Sequence, residues 1–166
     1  DSNIVRVGVE QWAPVIFSND GKDVDGISGD VLKLIIDKAG LNVKIVNDLW
    51  DPLLEGLKNK KIDLLPATYY TKERATYGVY SDGYYKMLDY IYVKEENNNI
   101  KSMSDLNGKT LAIPKGFGTI PKVKENFPKI KIIETVDLLD SINRVLDGKV
   151  DALYDGQIAV EYKLQD

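Results

Sequence analysis

Short apolar runs, each too brief for a core helix, alternate along this chain with stretches whose apolar residues recur at helical spacing, and few folds satisfy such a pattern. Ile4 to Val9 is a run of the first kind. After a turn-rich stretch, Val31, Leu32, Ile35, Ile36 and Ala39 share a helical face, with Gly40 as the stop. Val43 to Val46 predicts a second strand. Asp51-Pro52 then supplies an N-cap acid and a Pro suited to the first turn of a helix carrying Leu53, Leu54 and Leu57. Ile62 to Ala67 predicts a third strand. Such alternation requires right-handed crossovers and a largely parallel sheet, so the fold class is α/β.

Met87 to Val93 is strongly β-prone and leads into Glu95-Glu96-Asn97-Asn98-Asn99, a polar cluster that predicts a boundary between lobes. Beyond it, Ser102 and Asp105 predict a capped helical turn, Thr110 to Ile113 a strand, Val123 the middle of a helix and Lys131 to Ile133 another strand. Asp137 caps a helix bearing Leu138, Ile142, Val145 and Leu146, with Gly148 as its stop, and Val150 to Tyr154 follows as a strand. The organisation expected is a first α/β lobe over 1–93, a second over 94–154, and a return hinge over 155–166 that begins a C-terminal helix of the first lobe. In such a two-lobed arrangement the carboxyl ends of the strands can face one another across a crevice, the place for a ligand.

Composition removes several function classes. The chain has 166 residues, 43% hydrophobic and 29% charged, with a formal charge of −4, so a Lys/Arg field able to displace counterions from nucleic acid is lacking. Cys and His are both absent, which excludes thiol nucleophiles, Cys/His metal sites and an imidazole base. Neither cofactor nor metal is expected. Charges interrupt the apolar runs well before the roughly 18 residues needed to span a bilayer, and Asp1-Ser2-Asn3 does not begin a signal peptide, so an already processed chain is expected.

Gly116 and Gly118 flank Phe117 ahead of a helix starting near Thr119, where backbone N–H groups and a positive helix end could face an anion; a plain turn requiring glycine explains them equally well. Arg74, in Thr71-Lys72-Glu73-Arg74, follows a predicted strand and offers a guanidinium fork for a carboxylate, or is a solvated surface Arg. Asp155 follows the strand ending at Tyr154 and could accept hydrogen bonds from an ammonium, or cap a turn. Trp12 and Trp50 each follow a predicted strand, as pocket walls or as core. The tyrosines at 70, 77, 80, 84, 85, 90 and 92 read as core or sheet-surface packing, with Tyr69 as the exception. Asp63 and Asp151 are too dispersed to form a hydrolytic carboxylate pair.

Taken in order, Trp12-Ala13-Pro14-Val15-Ile16-Phe17, Gly26-Ile27-Ser28-Gly29-Asp30-Val31, Trp50-Asp51-Pro52-Leu53, Lys61-Ile62-Asp63-Leu64-Leu65, Thr71-Lys72-Glu73-Arg74, Tyr80-Ser81-Asp82-Gly83-Tyr84-Tyr85, Ser104-Asp105-Leu106-Asn107-Gly108-Lys109 and Gly148-Lys149-Val150-Asp151-Ala152 resemble the periplasmic solute-binding protein family 3. The resemblance implies a type 2 periplasmic-binding-protein clamshell that closes on an amino acid or a related carboxylate, and no enzymatic activity. It implies an α-carboxylate held by Arg74, an α-ammonium held by Asp155, and aromatic walls at Trp12 and Trp50. Further contacts would come from Ala67, Thr68 and Tyr69, and from Gly118 and Thr119 in the second lobe. Tyr69 departs from the family, whose amino-acid binders commonly carry Thr or Ser there.

The resemblance also implies a periplasmic or extracytoplasmic location. Family members continue several dozen residues further, so a first lobe short of its final strand and helix is expected, with apolar surface open to a homodimer partner. Leu64-Leu65-Pro66-Ala67 followed by Tyr69-Tyr70-Thr71 looks more like the sensor modules of membrane histidine kinases or diguanylate cyclases than like the free receptors of ABC amino-acid importers. The partner implied is accordingly a kinase or cyclase output module, with an ABC permease as the alternative; the remote alternative for the chain's own function is a cyclohexadienyl-dehydratase-like enzyme.

Overall fold

The computed structural model describes residues 4–165. These form two compact units, the first ending at Tyr84 and the second starting at Tyr85.

In the first unit β1 (Ile4–Val9) and β2 (Asn42–Asn47) pair in parallel, from Ile4 opposite Asn42 to Val9 opposite Asn47. Their crossover is α1 (Ile27–Ala39). Gly40 ends that helix in the left-handed conformation (φ 62°, ψ 38°) and donates its N–H to the Ile36 carbonyl, a conformation that a Cβ disfavours. Gly26, just before α1, has φ 92°, and a Cβ there would stand 2.6 Å from the Pro14 carbonyl oxygen. The Gly26-Ile27-Ser28-Gly29 string is thus dictated by close backbone approach.

The second helix, α2 (Trp50–Lys58), buries Trp50, Leu53 and Leu54. Asp51 lies inside its first turn and Leu49 holds the N-cap, one correction to the predicted start. The buried Trp50 is drawn into the helix, and Asp51 still favours the positive helix end. The predicted strand over Ile62 to Ala67 is reduced to a single parallel bridge of Leu64 to Val7. Asp63 and Leu64 donate to the Arg6 carbonyl, and Gly8 donates to Leu64. Pro66, without an N–H, cannot prolong that ladder. Val7, Val9, Val24, Leu32, Leu53 and Ile62 fill the core of this unit.

The second unit holds a four-stranded sheet in the order β3-β6-β4-β5. Its strands are β3 (Asp89–Tyr92), β4 (Thr110–Pro114), β5 (Lys131–Thr135) and β6 (Ala152–Gly156). β4 runs parallel to β5 and β6, whereas β3 pairs antiparallel with β6. Crossovers are made by α3 (Thr119–Asn126) and α4 (Leu138–Leu146), and α5 (Gln157–Lys163) follows β6. Asp137 caps α4, accepting from the Asp140 N–H at 2.8 Å. Ser102 and Asp105 form a capping box on the 3-10 turn Met103–Leu106. Asp151 accepts from both the N–H and the hydroxyl of Thr110, which ties the start of β6 to that of β4 and holds the carboxyl below its usual range. Leu106, Leu111, Ile113, Val123 and Ala152 centre the core.

The unit boundary therefore differs from the expected one after Val93. Tyr90 pairs with Asp155 across β3 and β6, so the strand predicted over Met87 to Val93 and the described part of the return, residues 155–165, both belong to the second unit. Sequence periodicity identifies a strand without identifying its neighbour, and here the neighbour decides membership. α5 buries Ala159 and Val160 and packs on β6.

Candidate functional site

Parallel strands leave their carboxyl ends on one edge, and in each unit the nominated residues lie there. In the first unit Trp12 follows β1, Trp50 follows β2, and Ala67 to Tyr69 follow the bridge at Leu64. Trp12 meets Tyr69 edge to face, with centroids 6.4 Å apart and planes at 83°. The Arg74 guanidinium lies 5.3 Å from the centroid of Trp50, within cation–π range. Its Nη1 donates to the Tyr69 carbonyl at 2.8 Å. Trp12, Tyr69, Arg74 and Trp50 thus form one contiguous group.

Arg74 is only 6% exposed, which does not fit a solvated surface arginine. Its backbone N–H donates to Thr71 Oγ1 at 3.1 Å, so the Thr71-Lys72-Glu73-Arg74 string builds the turn that turns the side chain inward. Burial pushes the guanidinium below its ordinary value, while Tyr80, Tyr77 and Glu73 act in the opposite direction. An arginine side chain stays protonated in proteins, so the group keeps its charge. Ala67 and Thr68 are half-buried, with Thr68 Oγ1 3.5 Å from the Leu65 carbonyl.

In the second unit Asp155 is the penultimate residue of β6 and 2% exposed, with Oδ1 accepting from the Gly156 N–H at 2.6 Å. Because β4 and β6 run parallel, the turn after Pro114 opens on the same sheet edge as Asp155. That turn takes its positive φ (78°) at Gly116, while Gly118 has helical angles and occupies the N-cap of α3. Thr119 is buried, and its Oγ1 has no hydrogen-bond partner among the described residues. A buried hydroxyl left in that state costs about 1–3 kcal/mol unless something else meets it. A buried carboxylate and a buried hydroxyl thus share one edge of the second sheet. Tyr92, on β3, has its phenol pushed up by burial, then by Glu161 and Asp155.

Two residues went unrecognised in the sequence. The Tyr80 hydroxyl donates to the Tyr69 carbonyl at 3.2 Å, and the Tyr84 hydroxyl bonds the Pro66 carbonyl and Ser28 Oγ. Both lie in Tyr80-Ser81-Asp82-Gly83-Tyr84-Tyr85, where apolar packing was expected. Tyr70, Tyr84, Tyr85 and Tyr90 are instead substantially exposed. Repeated Tyr rather than Phe in a segment lacking helical or strand period was the available signal.

Residues 5–153 match the model of the bacterial extracellular solute-binding proteins, family 3. The chain is 24% identical over 164 residues to the virulence sensor protein BvgS of Bordetella pertussis, covering 98% of this chain and 13% of that protein. It is 26% identical over 167 residues to the L-cystine-binding protein TcyA of Bacillus subtilis, covering 95% of this chain and 59% of that one. The chain therefore spans less than two thirds of either relative. Among solved structures, an ancestral arginine-binding protein bound to arginine superposes with a TM-score of 0.86 at 26% identity, over 98% of this chain and 74% of that one. With an α/β fold of the type 2 periplasmic-binding-protein class, the chain belongs to the bacterial extracellular solute-binding proteins, family 3.

Proposed function

We propose that this chain binds an amino acid or a closely related carboxylate, with Arg74 receiving the carboxylate and Asp155 the ammonium. The observation that carries the reading is the buried Arg74, held over Trp50 and fixed through Nη1 to the Tyr69 carbonyl. A guanidinium with so little access to water gains most from an anion that shares its plane and accepts two hydrogen bonds. Trp12 and Trp50 provide apolar walls, Ala67, Thr68 and Tyr69 line the same edge, and Gly118 and Thr119 offer polar contacts from the second unit. The buried Thr119 hydroxyl supports a polar solute over an apolar one.

As to its place in the cell, we read the chain as an extracytoplasmic sensor module coupled to a membrane kinase or cyclase. The similarity to BvgS, in which the matching part is 13% of a much longer sensor protein, supports a module of this kind. The similarity to TcyA supports the second reading, a receptor that delivers its solute to an ABC permease. Both readings need binding without turnover. A thermal-shift screen of the twenty amino acids and common polar metabolites tests the binding step. A compound at 100 times its dissociation constant adds about 2.7 kcal/mol of stability. Stabilisation by a few amino acids is the result expected; the absence of any shift from folded protein contradicts the reading.

A further inference from the structure

The segment from Gly78 to Tyr84 belongs to no strand or helix, and Val79 within it is fully exposed. Its tyrosines nevertheless reach inward with their hydroxyls. Tyr80 donates to the Tyr69 carbonyl, the same oxygen that receives Arg74 Nη1. Tyr84 bonds the Pro66 carbonyl and lies 2.7 Å from Oγ of the buried Ser28 on α1. The two carbonyls bracket Ala67-Thr68-Tyr69. Apolar packing does not explain Tyr84, a residue 46% exposed, and a phenylalanine would serve for packing as well as a tyrosine.

We propose that Tyr80 and Tyr84 are positioning residues that clamp Ala67-Thr68-Tyr69 at both ends and, through the shared Tyr69 carbonyl, set where Arg74 points. This rests on the binding reading above and deepens it. Pro66 prevents this stretch from being held by a strand ladder, so something else must fix it, and side-chain hydroxyls take that part. The rings of Tyr70 and Tyr80 meet at 5.2 Å and 61°, which limits the directions available to the Tyr80 hydroxyl.

Tyr80→Phe and Tyr84→Phe each remove one oxygen and keep the ring. Amide hydrogen exchange of the ligand-free variants, compared with wild type over residues 67–70, reads the clamp without any ligand. Acceleration of about tenfold confined to that stretch is expected, with β1, β2 and α2 unchanged. Unchanged exchange, or equal acceleration throughout the first unit, overturns the proposal. Calorimetric titration of wild type and both variants with L-arginine and L-glutamine separates this proposal from the reading beneath it. No heat from wild type counts against those amino acids as ligands and leaves exchange to decide the tyrosines. A loss of about five- to tenfold in affinity at unchanged melting temperature supports positioning. Equal affinity in all three proteins overturns it.

Discussion

The Arg74 guanidinium lies over the Trp50 ring, 5.3 Å from its centroid, while Nη1 donates to the Tyr69 carbonyl at 2.8 Å. A stacking face and a fixed acceptor leave a planar fork little freedom, so the entropy of ordering it is lost on folding rather than on binding. Lysine at this position would have a point charge and a flexible stem in place of a plane.

Arg74→Lys is therefore expected to weaken amino-acid binding at least about tenfold while the melting temperature changes little. Calorimetry beside a thermal scan checks both parts. Unchanged affinity would show that charge alone matters at this position.

Asp155→Ala is expected to weaken the same ligand by at least about 1.5–3 kcal/mol, the range for a hydrogen bond to a charged group. The control is a ligand analogue without its ammonium, which the substitution should leave nearly unaffected. Equal losses for both compounds would assign Asp155 to the fold of its own unit.

Acid stability should reflect Arg6 and Asp63. Hydrogen bonds from the Arg6 guanidinium and N–H hold the Asp63 carboxyl at about 2, against about 3.9 for an unfolded aspartate. Between these values the unfolded chain binds more protons, so stability rises with pH across the window. The contribution is complete above about pH 4 and is lost as pH falls through 2. Both groups are surface-exposed, which keeps the effect small. Asp63→Asn should melt below wild type at pH 7 and converge with it near pH 2, as followed by circular dichroism.

Two glycines separate backbone strain from collision. Gly40→Ala places a side chain at φ 62° with nothing within 4 Å, a cost of about 1–2 kcal/mol. Gly26→Ala adds to a φ of 92° a Cβ 2.6 Å from Pro14 O and 2.7 Å from Val15 O. Chemical denaturation should show the larger loss at Gly26. Equal losses would mean that the loop before α1 yields.

Most of the framework was legible because strand runs, helical spacing and caps are local. The strand Ile4–Val9, the Gly40 stop and the Asp137 cap are each set by residues within a few positions. Partnership was not legible. Met87 to Val93 reads as a strand from its own residues, but only the pairing of Tyr90 with Asp155 places it in the second unit. Ile62 to Ala67 is apolar enough for a strand, yet Pro66 and a single bridge keep it from becoming one. In the candidate site, placement after predicted strands nominates Trp12, Trp50 and Arg74, and Tyr69 stands apart from the other tyrosines, but each has a plain structural alternative, and family resemblance is what assigns their roles. The hydroxyl contacts of Tyr80 and Tyr84 span 11, 18 and 56 positions, and no periodicity encodes such distances.

The most direct test of the central claim is calorimetric titration of wild type and Arg74→Ala with the amino acid that most raises the melting temperature. One-site binding by wild type is expected, with a loss of at least about a hundredfold in Arg74→Ala, since truncation removes a bidentate charged partner. Comparable affinity in a folded Arg74→Ala protein would contradict it and place the carboxylate elsewhere.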